Sequence, residues 1–169
     1  MSDPLIAVAA VRTWLKDFIV GLDICPFAGG PLRGGRVRIA VSQAADLEAA
    51  IADLLREAER LDEDPEVETT LLLVPDLFPD FGDFLDATAL AIEVFQVSGY
   101  EGVYQIVAFH PEFCFEGAEP DDPANATNRS PIVLWHLLRE ASVDRAVEGH
   151  PDVHGIPERN AALLRELDR

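Results

Sequence analysis

The chain has 169 residues, a length at which one ordinary domain can close a hydrophobic core without disulfides or metal. It carries 31 acidic and 13 basic residues, a formal charge of −18, and 49% of it is hydrophobic. That balance excludes charge-driven disorder, and it excludes a nucleic-acid backbone or an anionic membrane surface as main partner, since both demand a basic footprint.

In chain order, the first element is an amphipathic helix. Asp3–Pro4 supplies its N-cap and first turn. Val8, Val11, Leu15, Phe18 and Leu22 step by three and four along one face. Arg12, Lys16, Asp17 and Asp23 interrupt the apolar stretch and argue against a membrane span or a leader. A Gly/Pro-rich loop runs from Cys25 to Gly35. Arg36–Val41 alternates with period two, as an edge strand does. Ser42 is placed to cap the next helix, whose buried stripe is Leu47, Ile51, Leu54, Ala58 and Leu61. Glu66–Val74 contains Leu71-Leu-Leu-Val74, apolar on both faces, and reads as an interior strand.

A third helix is expected from about Asp80 to Ser98, with Phe81, Leu85, Ile92 and Phe95 inward. Val103–Phe109 is the third strand. The segment His110–Arg129 has little periodicity. Ser130–Pro131 then reads as the start of a helix, and further helix follows from Ser142 and from Pro157. Strands alternating with helices predict an α/β domain with a small, mainly parallel sheet of three strands, followed by C-terminal helices. A fourth strand at Glu112–Phe115 would fit, and a two-layer α+β sandwich is the alternative. A single domain is expected. The lone thiols Cys25 and Cys114 suggest a reducing, cytoplasmic compartment.

In such sheets, ligands bind beyond the carboxyl ends of the strands. His110 follows the third strand there, as a general base, a metal ligand or a residue that fixes the turn. Asp121, Asp122, Asn125, Asn128, Arg129 and Ser130 lie in the irregular segment after it. They form either a self-bonded loop or a polar clamp in which Arg129 grips an anion. His136, Arg139 and Glu140 would share one face of the following helix, with His136 a second acid/base and Arg139, like Arg129, a local positive charge for an anionic substrate. Cys25 is a thiol near the site or a small buried residue. Asp76, Asp80, Asp83 and Asp86 suit an acidic first helical turn better than a calcium loop. The motifs GxGxxG, GxSxG and HExxH and a Walker loop are absent from the sequence, which leaves the cofactor unknown.

Leu22-Asp-Ile-Cys25-Pro-Phe-Ala28, Glu68-Thr-Thr-Leu-Leu72, Phe109-His-Pro111, Thr127-Asn-Arg-Ser-Pro131 and His136-Leu-Leu-Arg-Glu-Ala-Ser142 together resemble a bacterial family, domain of unknown function 1415. The resemblance runs from the first helix to Ile156-Pro-Glu-Arg-Asn160. It implies no catalytic residue. Phe113 and Ile132-Val133 stand where the family pattern has a tyrosine and Tyr-Pro, so this member does not require a phenol at either place. Cys114 falls outside the site.

Three functional readings follow. One is a small-molecule enzyme of hydrolase or transferase type, or a ligand-binding metabolic protein, built on His110, His136, Cys25, Asp121, Asp122, Asn128 and Arg129. The second is a non-catalytic adaptor whose His110–Arg129 segment recognises a protein partner. The third is metal binding or delivery by Cys25, His110 and His136.

Overall fold

The computed structural model describes residues 3–169. Asp3 caps helix α1 (Pro4–Trp14), its carboxylate accepting from the Leu5 amide at 2.9 Å. A π-helical turn, Leu15–Val20, continues it. That wider turn shifts the phase of the helix, so the deepest residues are Ala7, Val11, Leu15 and Ile19, with Phe18 and Leu22 only half-buried. Short α2 (Gly29–Arg33) lies in the Gly/Pro-rich segment. Strand β1 (Val37–Val41) leads to α3 (Leu47–Glu63), capped by Asp46 through the Ala49 amide. Ser42 does not cap it; its hydroxyl donates to Asp53 and accepts from the Ala44 amide.

Strand β2 (Thr69–Leu73) is buried at every position. Asp80 caps α4 (Phe81–Phe95) by accepting from the Asp83 amide, as the acidic first turn implies. The stripe α4 buries is Phe84, Ala87, Thr88, Ala91 and Phe95, whereas Leu85 and Ile92 are exposed. Gly99, with φ of 86°, ends the helical run where a side chain would be strained. Strand β3 (Tyr104–Phe109), a 3₁₀ turn (Pro123–Asn128), strand β4 (Leu134–Arg139), α5 (Glu140–Glu148) and α6 (Ile156–Leu167) complete the order.

The strands form one sheet in the order β1-β2-β4-β3. Only β1 and β2 are parallel neighbours. β4 runs antiparallel between β2 and β3, pairing Leu71 and Val107 with His136. The expected mainly parallel, three-stranded sheet is therefore a mixed sheet of four. The additional strand is β4, not Glu112–Phe115. The helix expected after Ser130–Pro131 is that strand.

Leu134-Trp-His-Leu-Leu-Arg139 sends Leu134, His136 and Leu138 to one face and Trp135, Leu137 and Arg139 to the other. A strand covered on both faces shows no alternation, so periodicity cannot separate it from a buried helix. Partners on both edges then outweigh the helix propensity of its leucines.

Helices α3 and α4 pack on one sheet face, over Leu72, Trp135 and Leu137. Helices α1 and α6 cover the other, over Leu71, Leu73 and Leu134. This is a mixed α/β arrangement with helices on both faces, unlike the two-layer alternative. Among the described residues, no helix is long and apolar enough to cross a membrane.

Candidate functional site

β3 and β4 are antiparallel neighbours, so residues 110–133 form one long loop between adjacent strands. Its neck is closed where the His110 amide donates to the Asn128 carbonyl at 3.3 Å and the Asn128 side chain donates to the Ala108 carbonyl. His110 is 1% exposed. Its ring lies 5.4 Å from that of Phe81 and 5.6 Å from that of Phe84. Nε2 lies 3.0 Å from the Phe78 carbonyl, and Nδ1 lies 3.0 Å from the Glu112 amide. A carbonyl can only accept and an amide can only donate. The ring is therefore the neutral Nε2–H tautomer, with both nitrogens engaged.

The other polar groups of the loop are used in the same way. Asn125, 0% exposed, accepts from the Phe115 amide and donates to the Glu119 carbonyl. Arg129 donates through Nε to Phe113 and through a terminal nitrogen to Pro120, both backbone carbonyls. Ser130 donates to the Ile132 carbonyl, which fixes a turn rather than a helix start. Asp122 caps the 3₁₀ turn through the Ala124 amide and takes two bonds from Arg165 of α6, at 3.0 and 2.6 Å. The Arg165 guanidinium beside it, aided by that amide, holds its carboxyl down at about 2. Asp121 is exposed.

The remaining candidates stand elsewhere. His136 is half-buried on the α1/α6 face of the sheet, its Nε2 lying 2.8 Å from the Thr69 hydroxyl. That hydroxyl donates to the Leu137 carbonyl at 2.6 Å, so it accepts from His136. Nε2 carries the proton and Nδ1 the lone pair. Burial pushes the His136 pKa down to about 4.

Arg139 is on the opposite face, at the amino end of the parallel pair. Its guanidinium donates to the carbonyls of Leu61, Asp64 and Val67 around the end of α3. His136 and Arg139 do not share a helix face as expected, because three residues along a strand reverse the face. Cys25 is half-buried against the α1/α6 core, and burial pushes its thiol upward, partly offset by the Phe27 and Ala28 amides. A raised thiol is a poor nucleophile. The geometry thus joins His110 with Asn125, Asn128, Arg129 and Ser130 in one self-bonded loop, and leaves His136, Cys25 and Arg139 outside it.

Among the described residues no group of three or more His, Cys, Asp or Glu side chains is arranged to hold a metal ion. Sequence reasoning missed Thr69 and Phe78. Thr69 had a signal, shared with Thr70: a hydroxyl at the start of a strand that is otherwise leucine. Phe78 had none, since its part is played by a backbone carbonyl. No curated protein and no solved structure matches the chain. A family model matches residues 6–169, and the chain accordingly belongs to the family described as protein of unknown function (DUF1415).

Proposed function

We propose that the protein is a non-catalytic interaction module, with the loop 110–129 as a rigid recognition element. The observation that carries this reading is the use of the loop's polar side chains. His110, Asn125 and Arg129 all bond the loop's or its neighbour's backbone. An enzyme keeps base and nucleophile open towards a reacting atom. A recognition loop instead gains affinity by being ordered before its partner arrives. Phe115 is 40% exposed at the loop surface, its ring 5.0 Å from that of Phe113. It supplies the kind of aromatic anchor that interfaces favour.

Site-specific photo-cross-linking in cells tests this. A photoreactive residue at Phe115 should give a discrete protein adduct that excess purified wild-type chain competes away, and one at Ser142 of α5 should not. Turnover of a small molecule that is abolished in a folded Arg129→Lys variant would overturn the reading.

A second reading, a small-molecule site on the sheet surface, is favoured by His136. Its neutral ring has one proton fixed on Thr69 and a lone pair at Nδ1, and it is only half-buried. A ligand screen by thermal shift, wild type against His136→Phe, would support it through a ligand that stabilises only the wild type.

A further inference from the structure

Resting on the interaction reading above, we infer that the outer face of α4, together with Phe115, docks a basic amphipathic segment of a protein partner. The argument begins with the distribution of charge. Residues 61–128 contain 16 of the 31 acidic residues and none of the 13 basic ones. This segment contributes β2, α4, β3 and most of the loop. Six of the ten large apolar side chains exposed among the described residues fall inside it: Leu85, Leu90, Ile92, Val97, Val103 and Phe115.

Helix α4 is apolar on nearly every side, as a helix covered all round is, yet only its Phe84–Phe95 stripe is covered. At 100° per residue, Asp86, Leu90 and Glu93 share one outward row, and the exposed Val97 follows it in the π-helical turn Gln96–Tyr100 that continues α4. Leu85 and Ile92 lie about 110° further round the helix, on the exposed flank of the buried stripe nearest Phe81. Leu85 is 44% exposed, Ile92 39% and Val97 87%. At the start of the helix the Phe81 ring lies 5.0 Å from Phe113, which in turn touches Phe115. The apolar surface therefore passes from helix to loop.

The rim selects the occupant. Apolar side chains interleaved with carboxylates fit a segment whose apolar anchors recur at helical spacing and are flanked by Lys or Arg. A second copy would set two such acidic faces together, each on a chain of charge −18, and like charges brought together cost several kcal/mol.

The test uses the full chain, at about 150 mM salt so that diffuse attraction is screened. The probe is a synthetic helical peptide of Leu and Lys with leucines at i, i+3, i+4 and i+7. Amide shifts followed by NMR should change along α4 and at Phe115. The double reversal Asp86→Lys with Glu93→Lys should weaken binding at least about tenfold, as should Val97→Asp. All three positions are exposed, so the fold should survive.

A peptide with serine in place of leucine that binds equally well would overturn the proposal. So would shifts spread evenly over the acidic surface, or α4-driven dimerisation seen by sedimentation. Shifts confined to residues 110–129 would overturn the α4 face and leave the interaction reading intact. Absence of binding overturns the basic-segment proposal, while the Phe115 cross-link decides the broader reading independently.

Discussion

The His110 imidazole donates to the carbonyl of Phe78 at 3.0 Å, bridging 32 residues of chain and tying the loop after β3 to the connection between β2 and α4. Phe78 has a φ of 56°, a conformation that costs a non-glycine residue of order 1–2 kcal/mol. Its ring packs at 5.6 Å from Phe84 and 5.8 Å from Trp135, and that packing together with the His110 bond holds the turn. His110 thus acts as an internal brace with its two nitrogens serving two backbone segments.

Replacing it should be felt in stability. His110→Ala removes a ring that is 1% exposed and strands the Phe78 carbonyl and the Glu112 amide. The expected loss is about 3 kcal/mol in urea unfolding. His110→Asn should recover part of it, because the amide oxygen can replace Nδ1 as acceptor for Glu112. A loss below about 1 kcal/mol would contradict the bracing role.

His136 predicts a pH dependence. Its pKa in the folded chain is about 4, against an ordinary value of 6.5. The unfolded chain therefore binds more protons between these values, and stability rises with pH across that window. His136 contributes nothing to this slope above pH 6.5 or so, and lowers stability progressively as pH falls towards 4, by at most about 3 kcal/mol. His136→Gln should flatten the difference between urea midpoints measured at pH 7 and pH 4.5. Equal slopes in wild type and variant would refute the depressed pKa of His136.

Asp122 has the same sign in a lower pH window. Its carboxyl is held at about 2 by Arg165 and the Ala124 amide, so the pair stabilises the fold above the ordinary carboxylate range and the benefit is lost as pH falls towards 2. The pair is solvent-exposed, and its coupling should be small and should fade in high salt. Hydrogen exchange is the sensitive readout. Arg165→Ala should speed exchange of the α6 amides and of residues 123–128, while leaving β2 protected. Unchanged exchange in both segments would show that apolar contacts alone join α6 to the loop.

The sequence disclosed the features that follow from one-sided burial. The alternation of Arg36–Val41 and the stripe of α3 translate directly into an edge strand and a packed helix. It misled where a segment is apolar on more than one side. β4 reads as helical because both of its faces are covered, and in α4 Leu85 and Ile92 read as inward alongside Phe95 because they are as hydrophobic as the residues it buries. The loop was legible as irregular but not in its role. Asp, Asn, Ser and Arg are the residue types that fold loops and also those that bind ligands, and only the partners that the fold supplies separate the two uses. Asn125 and Arg129 both have backbone partners within the loop.

Arg139 has backbone partners too and gives the last prediction. Read as an anion grip, it instead binds the carbonyls of Leu61, Asp64 and Val67, closing the end of α3 against the strand that follows. It also stands 6.0 Å over the Tyr104 ring, whose hydroxyl donates to Asp62 of α3 at 2.5 Å. A planar fork can serve several carbonyls at once; a lysine ammonium on a flexible stem cannot match that geometry. Arg139→Lys keeps the charge, so a purely electrostatic role predicts little change. The hydrogen-bond geometry predicts a loss of about 1–3 kcal/mol, with faster amide exchange in residues 64–68. Because β4 pairs with both β2 and β3, the effect should reach the sheet: the Tyr104–Arg139 end of the β3–β4 ladder should exchange faster than the Phe109–Leu134 end. A variant as stable as the wild type, with exchange unchanged at both ends, would return Arg139 to the group of candidate ligand-binding residues.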